Sequence, residues 1–244
     1  MTPRPEDRLI VALDVPGEPE AAAFVAELTG VVSFYKVGYQ LFLAAGMPFV
    51  RRLVEQGKRV FLDLKMNDVP ETIALAIRQM AGAGVEFTTI YGTSATARAA
   101  VAGRAGAAVP KLLQVTLLTS MDDALDQGLA GGDPRASGSG GVEEYVLSRG
   151  EQAIGAGCDG LIAAGSSVAS LRRRLGPDPI IVCPGIRLAG TSAQDHRRVA
   201  TPREAIQAGA DFLVVGRPIR DAPAPRSAAQ AIVSEIEEGL GARG

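Results

Sequence analysis

Short apolar runs alternate with longer helical patterns along the whole chain. Length, alanine content and apolar spacing predict helices in segments such as Pro19–Leu28, Leu41–Glu55, Glu71–Ala81, Val142–Ala156 and Pro202–Ala208. The short runs between such segments predict eight strands, at Leu9–Leu13, Phe34–Val37, Arg59–Leu64, Phe87–Ile90, Leu112–Thr116, Gly160–Ala163, Ile180–Val182 and Phe212–Val215. This alternation is typical of α/β proteins.

Eight strands that are each followed by a helical stretch favour a closed parallel (β/α)8 barrel, the TIM barrel. A length of 244 residues is ordinary for one barrel, and no linker divides the chain, so we expect a single domain over residues 1–244. An open doubly wound sheet is the alternative, but the G-x-G-x-x-G fingerprint after the first strand is missing. The glycine-rich stretch Gly131–Gly141 is expected to be a mobile loop on the active face.

Charge and composition narrow the classes of function. The formal net charge of −2 gives no electrostatic footprint for nucleic acid or an anionic membrane, and the basic cluster Arg172–Arg174 lies near the end of a predicted helix. The start MTPRPEDR lacks the apolar core of a signal peptide, and no apolar run is long enough to span a membrane. Cys158 and Cys183 are too isolated for a disulfide framework or a zinc site. We therefore expect a cytoplasmic protein without nucleic-acid or membrane partners.

Charged residues stand at the carboxyl ends of the first three predicted strands, where barrel enzymes carry their chemistry. In chain order they are Asp14, Lys36, Asp63 and Lys65, with Asp68 in the loop that follows. Because strand side chains alternate between faces, Asp63 and Lys65 are predicted to point together into the barrel mouth. Leu62 and Leu64 are predicted to face the helices.

The signs of these charges alternate around the predicted rim, and opposite neighbours favour the charged form of each group. One charged strand end is as consistent with an ordinary ion pair as with catalysis. A whole row of charges directed toward a barrel core is costly unless the charges are paired, and apolar residues would serve stability better. A fixed row of ammonium and carboxylate groups suits a reaction that generates a carbanion and then protonates it.

The last two predicted strands indicate a phosphate site. The eighth runs FLVVGR, and phosphate sites in such barrels usually form from the loops after strands seven and eight. Gly216 allows an anion to approach the backbone closely, and Arg217 can grip phosphate oxygens in a bidentate way. The loop after the seventh strand holds Arg187 and the single histidine, His196, and we expect this loop to close over the phosphate as a lid.

With these motifs in order, the chain resembles the orotidine 5′-phosphate decarboxylase family. The D-x-K-x-x-D pattern of the third strand, here DLKMND, is followed by Val69-Pro70 and Thr72. Supporting motifs are LDV at the first strand, YKVG at the second, VTLLTS at the fifth, PGIR after the seventh and VGRP after the eighth. The resemblance covers nearly the whole chain, and the full set is highly specific, whereas sister barrels share the third-strand motif alone.

The resemblance implies a decarboxylase of the last step of de novo UMP synthesis, and it assigns roles to the charged row. Lys65 would protonate C6 of the pyrimidine as carbon dioxide leaves, and Asp63 would lie against the departing carboxylate. Lys36 would hold Asp63 and contact the ribose, and Asp14 would bind a ribose hydroxyl. No metal cluster or nucleotide-cofactor motif is found in the sequence, so we expect a reaction without metal or cofactor.

The resemblance also implies a homodimer with shared active sites, in which Asp68 and Thr72 reach into the neighbouring subunit's site. The other implied contacts are Thr119 to the pyrimidine and Arg187, Gly216 and Arg217 to the phosphate end. Three positions depart from the family's pattern: Asn67 and Tyr91, where histidine is common, and His196, where many bacterial members have a glutamine that touches the phosphate. The last departure bears on phosphate grip and lid closure.

Two other functions remain as alternatives. A sister barrel, either a metal-dependent decarboxylase of a keto-sugar phosphate or a hexulose-phosphate synthase, shares D-x-K-x-x-D but typically carries a glutamate at the end of the second strand to help hold magnesium. Here that position is Lys36, which would repel the metal. A non-catalytic protein that binds a phosphate ligand on the same barrel would be free to lose charges from the row, and all of them remain.

Overall fold

Each predicted apolar run forms a strand, and the eight strands pair in chain order into a closed parallel barrel, which confirms the (β/α)8 prediction. The computed structural model describes residues 3–118, 141–188 and 200–242. The strands are β1 (Leu9–Ala12), β2 (Phe34–Val37), β3 (Arg59–Met66), β4 (Phe87–Ile90), β5 (Lys111–Val115), β6 (Gly160–Ile162), β7 (Ile180–Cys183) and β8 (Phe212–Val215).

Helices follow the strands around the outside of the barrel. Within the described ranges they are α1 (Glu18–Glu27), α2 (Tyr39–Glu55), α3 (Pro70–Gly82), α4 (Ser94–Arg104), α5 (Gly141–Gly155), α6 (Gly165–Leu175), α7 (Pro202–Ala208), α8 (Arg217–Arg220) and α9 (Pro225–Gly241), preceded by a 3-10 turn at Pro5–Arg8. The predicted helix Leu41–Glu55 is kinked rather than continuous. Gly46 has a φ of 62°, a left-handed conformation, and Pro48 follows it.

Local sequence signals set the ends of α7. The Thr201 hydroxyl accepts a hydrogen bond from the backbone N–H of Glu204, and the Glu204 carboxylate accepts one from the backbone N–H of Thr201. This reciprocal capping box satisfies two amides that the first helical turn leaves unpaired. Gly209 ends the helix with a φ of 115°, which favours glycine.

Strand side chains alternate between two apolar layers. Four phenylalanines inside the barrel, Phe34, Phe61, Phe87 and Phe212, make edge-to-face contacts with ring centroids 5.0 to 6.1 Å apart. The opposite strand faces pack beneath the helices in a larger core, which contains Leu62. These phenylalanines belong to an apolar cluster inside the barrel, so the barrel is not a pore and its two ends are separate environments.

Ion pairs close the amino-terminal rim of the barrel. Asp159 stands immediately before β6 and accepts hydrogen bonds from Arg104 at 2.6 Å and Lys111 at 3.1 Å. The same carboxylate accepts the backbone N–H of Leu112 in β5 at 2.9 Å. One acidic side chain therefore ties two neighbouring strands together at their starts.

The same arrangement recurs further along this rim. Asp211 stands immediately before β8 and accepts the backbone N–H of Ile181 in β7 together with the Arg172 guanidinium, at 2.9 and 2.7 Å. Before β4, the carboxylate of Glu86 pairs with Arg59, the first residue of β3. An acidic residue thus precedes β4, β6 and β8, and each one binds the strand that comes before it in the chain.

Both cysteines are buried free thiols. Burial raises the pKa of Cys158 and that of Cys183 to about 12, so neither is a thiolate at neutral pH. In the described part of the chain, no helix combines the length and the apolar character that a membrane crossing needs. The predicted mobile loop Gly131–Gly141 lies outside the described residues except for Gly141, which begins α5.

Candidate active site

Polar side chains at the carboxyl end of the barrel lie directly above the phenylalanine layer. On three consecutive strands a phenylalanine inside the barrel is followed, two residues later on the same face, by a polar residue. The pairs are Phe34 and Lys36 on β2, Phe61 and Asp63 on β3, and Phe87 and Thr89 on β4. The rings exclude water from beneath the polar groups, which strengthens the electrostatic interactions between them.

Four charged side chains form a continuous row across β1, β2 and β3. Lys36 Nζ lies 3.0 Å from Asp14 Oδ1 and 3.7 Å from Asp63 Oδ2. Lys65 Nζ lies 3.0 Å from both carboxylate oxygens of Asp63. The structure therefore brings together four of the residues that the sequence singles out, with their charges alternating in sign.

Exposure differs along the row. The side chains of Lys36 and Asp63 are 12% and 14% exposed, whereas those of Lys65 and Asp14 are 32% and 46% exposed. The two middle groups are fixed against the barrel core, and the two outer groups face the open mouth. A ligand in the mouth can therefore contact the Lys65 ammonium without displacing the buried pair.

β3 bulges at its carboxyl end. In the pairing with β4, Leu62 faces Thr88 and Met66 faces Ile90, so three residues of β3 lie opposite a single residue of β4. Within the bulge Lys65 has a φ of 44°, a left-handed conformation that costs a non-glycine residue roughly 1–3 kcal/mol. Strain of this kind persists only where surrounding contacts enforce it, and it clusters at functional sites.

Two neighbouring side chains hold the bulge in place. The Thr89 hydroxyl accepts a hydrogen bond from the backbone N–H of Lys65 and donates one to Asp63 Oδ1, each at 2.8 Å. From the other side, the Tyr39 hydroxyl donates a hydrogen bond to the Leu64 carbonyl. The bulge is thus tied to β4 and to the start of α2.

Gly38 leaves the space that the Lys36 ammonium occupies. A β-carbon built at Gly38 would lie 3.0 Å from Lys36 Nζ and 3.4 Å from Asp14 Oδ1. Any side chain there would press on the ion pair between the two. The glycine of the YKVG motif therefore leaves room for the Lys36–Asp14 ion pair.

Arg220 links α8 to the loop after β1. Its Nη1 donates a hydrogen bond to the backbone carbonyl of Asp14 at 2.8 Å, and its other nitrogens pair with Asp221. Those hydrogen bonds hold the pKa of the Asp221 carboxyl below its usual range. The contact fixes the backbone that carries the outermost carboxylate of the row.

One of the predicted phosphate residues, Gly216, borders the Asp14 end of the row. A β-carbon at Gly216 would lie 3.8 Å from Asp14 Oδ2, so this backbone borders the charged groups closely. Arg217 follows as the exposed first residue of α8. Arg187 is half-buried, and its backbone N–H donates a hydrogen bond to the Ala200 carbonyl.

Two predicted residues stand apart from this arrangement, and two others lie outside the part of the chain that the structure describes. Within the described ranges, neither Asp68 nor Thr72 hydrogen-bonds to the row; both are exposed, and Asp68 Oδ1 accepts the backbone N–H of Val69. Thr119 and His196 lie outside the described residues. In the described structure, Asp68 and Thr72 therefore stand apart from the row.

The prediction from sequence missed four residues that contact the row or its backbone: Gly38, Tyr39, Thr89 and Arg220. A signal existed for Thr89, because it follows an inward-facing phenylalanine by two residues in the run FTTI. No local signal marks Arg220, whose contact joins residues 206 positions apart.

The chain is similar to known proteins over nearly its full length. A model of the Orotidine 5'-phosphate decarboxylase / HUMPS family matches residues 7–232. A protein named orotidine 5'-phosphate decarboxylase from Rhodopseudomonas palustris strain BisB5 is 45% identical over 236 residues, which covers 97% of each chain. A protein of the same name from Bradyrhizobium diazoefficiens is 44% identical over 246 residues, covering 99% of this chain and 100% of the relative.

Solved structures give the same result. The orotidine 5'-phosphate decarboxylase of Lactobacillus acidophilus superposes with a TM-score of 0.79 at 37% identity, covering 93% of this chain and 98% of that one. The enzyme of Pyrococcus horikoshii OT3 superposes with a TM-score of 0.72 at 28% identity, covering 94% and 99%. On the family match and these nearly full-length relatives, the chain belongs to the Orotidine 5'-phosphate decarboxylase / HUMPS family.

Proposed function

We propose that this protein converts orotidine 5′-phosphate to UMP and carbon dioxide in pyrimidine biosynthesis, without a metal or cofactor. One observation carries the proposal: Lys36 and Lys65 flank the Asp63 carboxylate at 3.7 and 3.0 Å in the mouth of the barrel. Two ammonium groups held there suit negative charge on a substrate carbon. The names of relatives that are 44–45% identical over nearly the full length support the choice of substrate.

Lys65 is the proposed proton donor. The bond between C6 of the pyrimidine and the carboxylate carbon breaks, and its electron pair stays on C6 as carbon dioxide leaves. The Lys65 ammonium stabilises that pair and then transfers a proton to C6, and the resulting amine regains a proton from solvent. The two 3.0 Å contacts with Asp63 support this role because they hold the ammonium in one place before the reaction.

Asp63 has a positioning role in this scheme. In the bound substrate it would lie near the leaving carboxylate, and that repulsion would fade as carbon dioxide departs. Its contacts with Lys36, Lys65 and Thr89 favour preorganisation as the main contribution. A carboxylate held by three groups cannot turn away from the two lysines when substrate enters.

The rest of the substrate is assigned along the rim from β1 to β8. Lys36 and Asp14 would contact the ribose, Thr119 the pyrimidine, and Arg187, His196, Gly216 and Arg217 the phosphate end. The close approach of Gly216 to Asp14 supports this order, because ribose and phosphate are adjacent in the nucleotide. Phosphate contacts remote from C6 would supply binding energy that closes the site and excludes water.

We further propose that two copies form a dimer through α2 and α3, with Asp68 and Thr72 completing the partner's site. Large apolar side chains are exposed on these two helices and just before α3: Tyr39 (54%), Leu43 (82%), Val69 (62%) and Leu75 (49%). Asp68 and Thr72 lie among them in sequence and are exposed. A second copy would bury the apolar face and bring both polar residues to a neighbouring mouth.

Leu43→Glu tests the dimer. A charge at this exposed position should split the dimer and remove most of the activity, because each site would lose the partner's Asp68 and Thr72. Analytical ultracentrifugation reports the mass, and the same samples are assayed for turnover. Leu75→Gln, at a less exposed site on the same face, serves as the milder control. A fully active monomer would exclude shared sites.

The metal-dependent sister barrel is the second candidate. The description of the matched family also names HUMPS, which stands for the hexulose-phosphate synthase group. The position of Lys36 argues against it. Its ammonium lies between the Asp14 and Asp63 carboxylates, at 3.0 and 3.7 Å, where a divalent cation would have to use the same oxygens.

An absorbance assay with orotidine 5′-phosphate tests the proposed function directly. We expect turnover to UMP that is unchanged by prior treatment with a chelator and by later addition of magnesium. Activity that is lost on chelation and restored by magnesium would favour the sister enzyme. Tight binding of the nucleotide without turnover would favour a non-catalytic binding protein.

A further inference from the structure

We infer that Thr89 is a positioning residue for proton delivery, acting through Asp63 and Lys65. The inference rests on the proposed function, because it assigns how the reacting ammonium is aimed. Thr89 is the single β4 residue opposite the bulge of β3, since the pairing resumes at Met66 and Ile90 on its far side. It is 1% exposed, although it carries a polar side chain.

The Thr89 hydroxyl makes two hydrogen bonds of opposite sense. Its proton goes to Asp63 Oδ1, and its oxygen accepts the backbone N–H of Lys65. A hydroxyl has only one proton, so accepting from the amide directs that proton toward the carboxylate. One side chain thereby fixes the carboxylate that pairs with the Lys65 ammonium and the backbone from which that ammonium extends.

Removal of this hydroxyl should move the reacting group more than the bound nucleotide. The amide of Lys65 would lose its acceptor, and nothing on β4 would replace it, because the bulge carries this amide out of the ladder. The left-handed conformation of Lys65 would then relax, and Asp63 could rotate. Proton transfer is sensitive to displacements well below an ångström, whereas binding depends mainly on the ribose and phosphate contacts.

Thr88 provides a matched control. It precedes Thr89 on the same strand, is fully buried, and donates a hydrogen bond from its hydroxyl to the Leu62 carbonyl at 2.9 Å. Its side chain takes the opposite face of β4, away from the row. Thr88→Val therefore removes a hydroxyl hydrogen bond of the same strand and similar burial that goes to the Leu62 carbonyl and not to a group of Asp63 or Lys65.

The test compares Thr89→Val and Thr88→Val in the dimeric full-length enzyme. We expect kcat for orotidine 5′-phosphate to fall about 100-fold in Thr89→Val with little change in KM, and to stay near the parent value in Thr88→Val. The midpoint of thermal unfolding should fall in both variants, and further in Thr89→Val, because Thr89 loses two buried hydrogen bonds and Thr88 loses one. Exchange of the C6 hydrogen of UMP in deuterated water, which reports proton transfer alone, should slow in parallel with kcat.

Thr89→Ser and Thr89→Ala form a second pair that differs by one oxygen atom. Serine keeps both hydrogen bonds and should recover most of kcat and of the exchange rate, whereas alanine should not. This pair decides the matter if Thr89→Val fails to fold. An inactive parent enzyme would reject the proposed function. An active parent with equal kcat in the serine and alanine variants, or in Thr88→Val and Thr89→Val, would reject the positioning role alone.

Discussion

Two carboxylates at the amino-terminal rim bind a backbone amide as well as side chains, whereas at the carboxyl-terminal rim the row is held by side chains. Asp159 and Asp211 each combine a cationic partner with a strand amide. In the described structure, Asp63 accepts hydrogen bonds from Lys65 and Thr89 through their side chains. Asp159 and Asp211 therefore hold neighbouring strands together, whereas Asp63 holds the charged side chains of the row in position.

The difference teaches how one fold uses the same residue types for stability and for chemistry. An acid bonded to a backbone amide and a cation holds two strands in register. An acid bonded to two ammonium groups keeps those groups positioned while leaving part of them open, as the 32% exposure of the Lys65 side chain shows. The phenylalanine layer between the rims keeps the two systems apart. Substitutions at the carboxyl-terminal rim should therefore lower activity with little loss of stability, and substitutions at the amino-terminal rim should lower stability with little loss of activity.

The largest expected effect is at the carboxyl-terminal rim. Lys65→Ala should reduce decarboxylation by at least about 10⁴-fold, because it removes both the proton donor and the charge facing C6. The variant should remain folded with little loss of unfolding free energy, because the Lys65 side chain is partly exposed and Asp63 keeps Lys36 and Thr89 as partners. Absorbance assays and urea unfolding measure the two quantities. Near-normal turnover would end the proposed mechanism.

Arg217→Ala should have the next largest effect. Loss of a charged phosphate contact should slow turnover of the nucleotide about 100-fold. Turnover of the truncated nucleoside, which has no phosphate, should change little, and this substrate is the internal control. Equal losses on both substrates would count against a phosphate role for Arg217.

At the amino-terminal rim, Asp159→Asn should cost about 2 kcal/mol of unfolding free energy, because two cations lose their counter-charge in a mostly buried site. The kcat of the folded variant should match that of the parent. Asp178→Asn, an exposed aspartate near the same rim, is the control and should leave stability unchanged. A loss of activity with intact stability in Asp159→Asn would remove the distinction between the rims.

The smallest expected effect concerns His196. If its imidazolium meets the substrate phosphate, affinity should weaken severalfold as pH rises through the imidazole titration, because the neutral ring no longer attracts the dianion. His196→Gln should abolish that part of the pH dependence, which separates it from the titration of the phosphate itself. A flat affinity profile around neutrality in the parent enzyme would dismiss the contact.

The sequence predicted the strands well because each is a buried apolar run bounded by turns. It placed the end of β3 at Leu64, whereas the strand continues to Met66. The difference is caused by the bulge. Tyr39 and Thr89, which belong to other elements, hold the bulge in place, so the local sequence of β3 does not predict it. Gly46 and Pro48 are a local signal for the kink of α2. Apolar spacing alone predicted one helix over Leu41–Glu55 and did not take this signal into account.

Residue type and position at a strand end were enough to predict the charged row of the site. Asp63 and Lys65 meet because alternation and chain order bring them together. Arg220 could not be found in this way, since its contact with the Asp14 carbonyl depends on the closure of β8 against β1. Residues that act through long-range backbone contacts need the folded barrel before they can be identified.

The acidic residues before β4, β6 and β8 have a consequence for engineering. Each binds the strand before it in the chain, so β3–β4, β5–β6 and β7–β8 behave as two-strand modules. A circular permutant opened between modules keeps each carboxylate in one contiguous segment with its partner strand. New termini placed inside a module would separate them, so redesigned or shuffled barrels of this type should be cut ahead of odd-numbered strands.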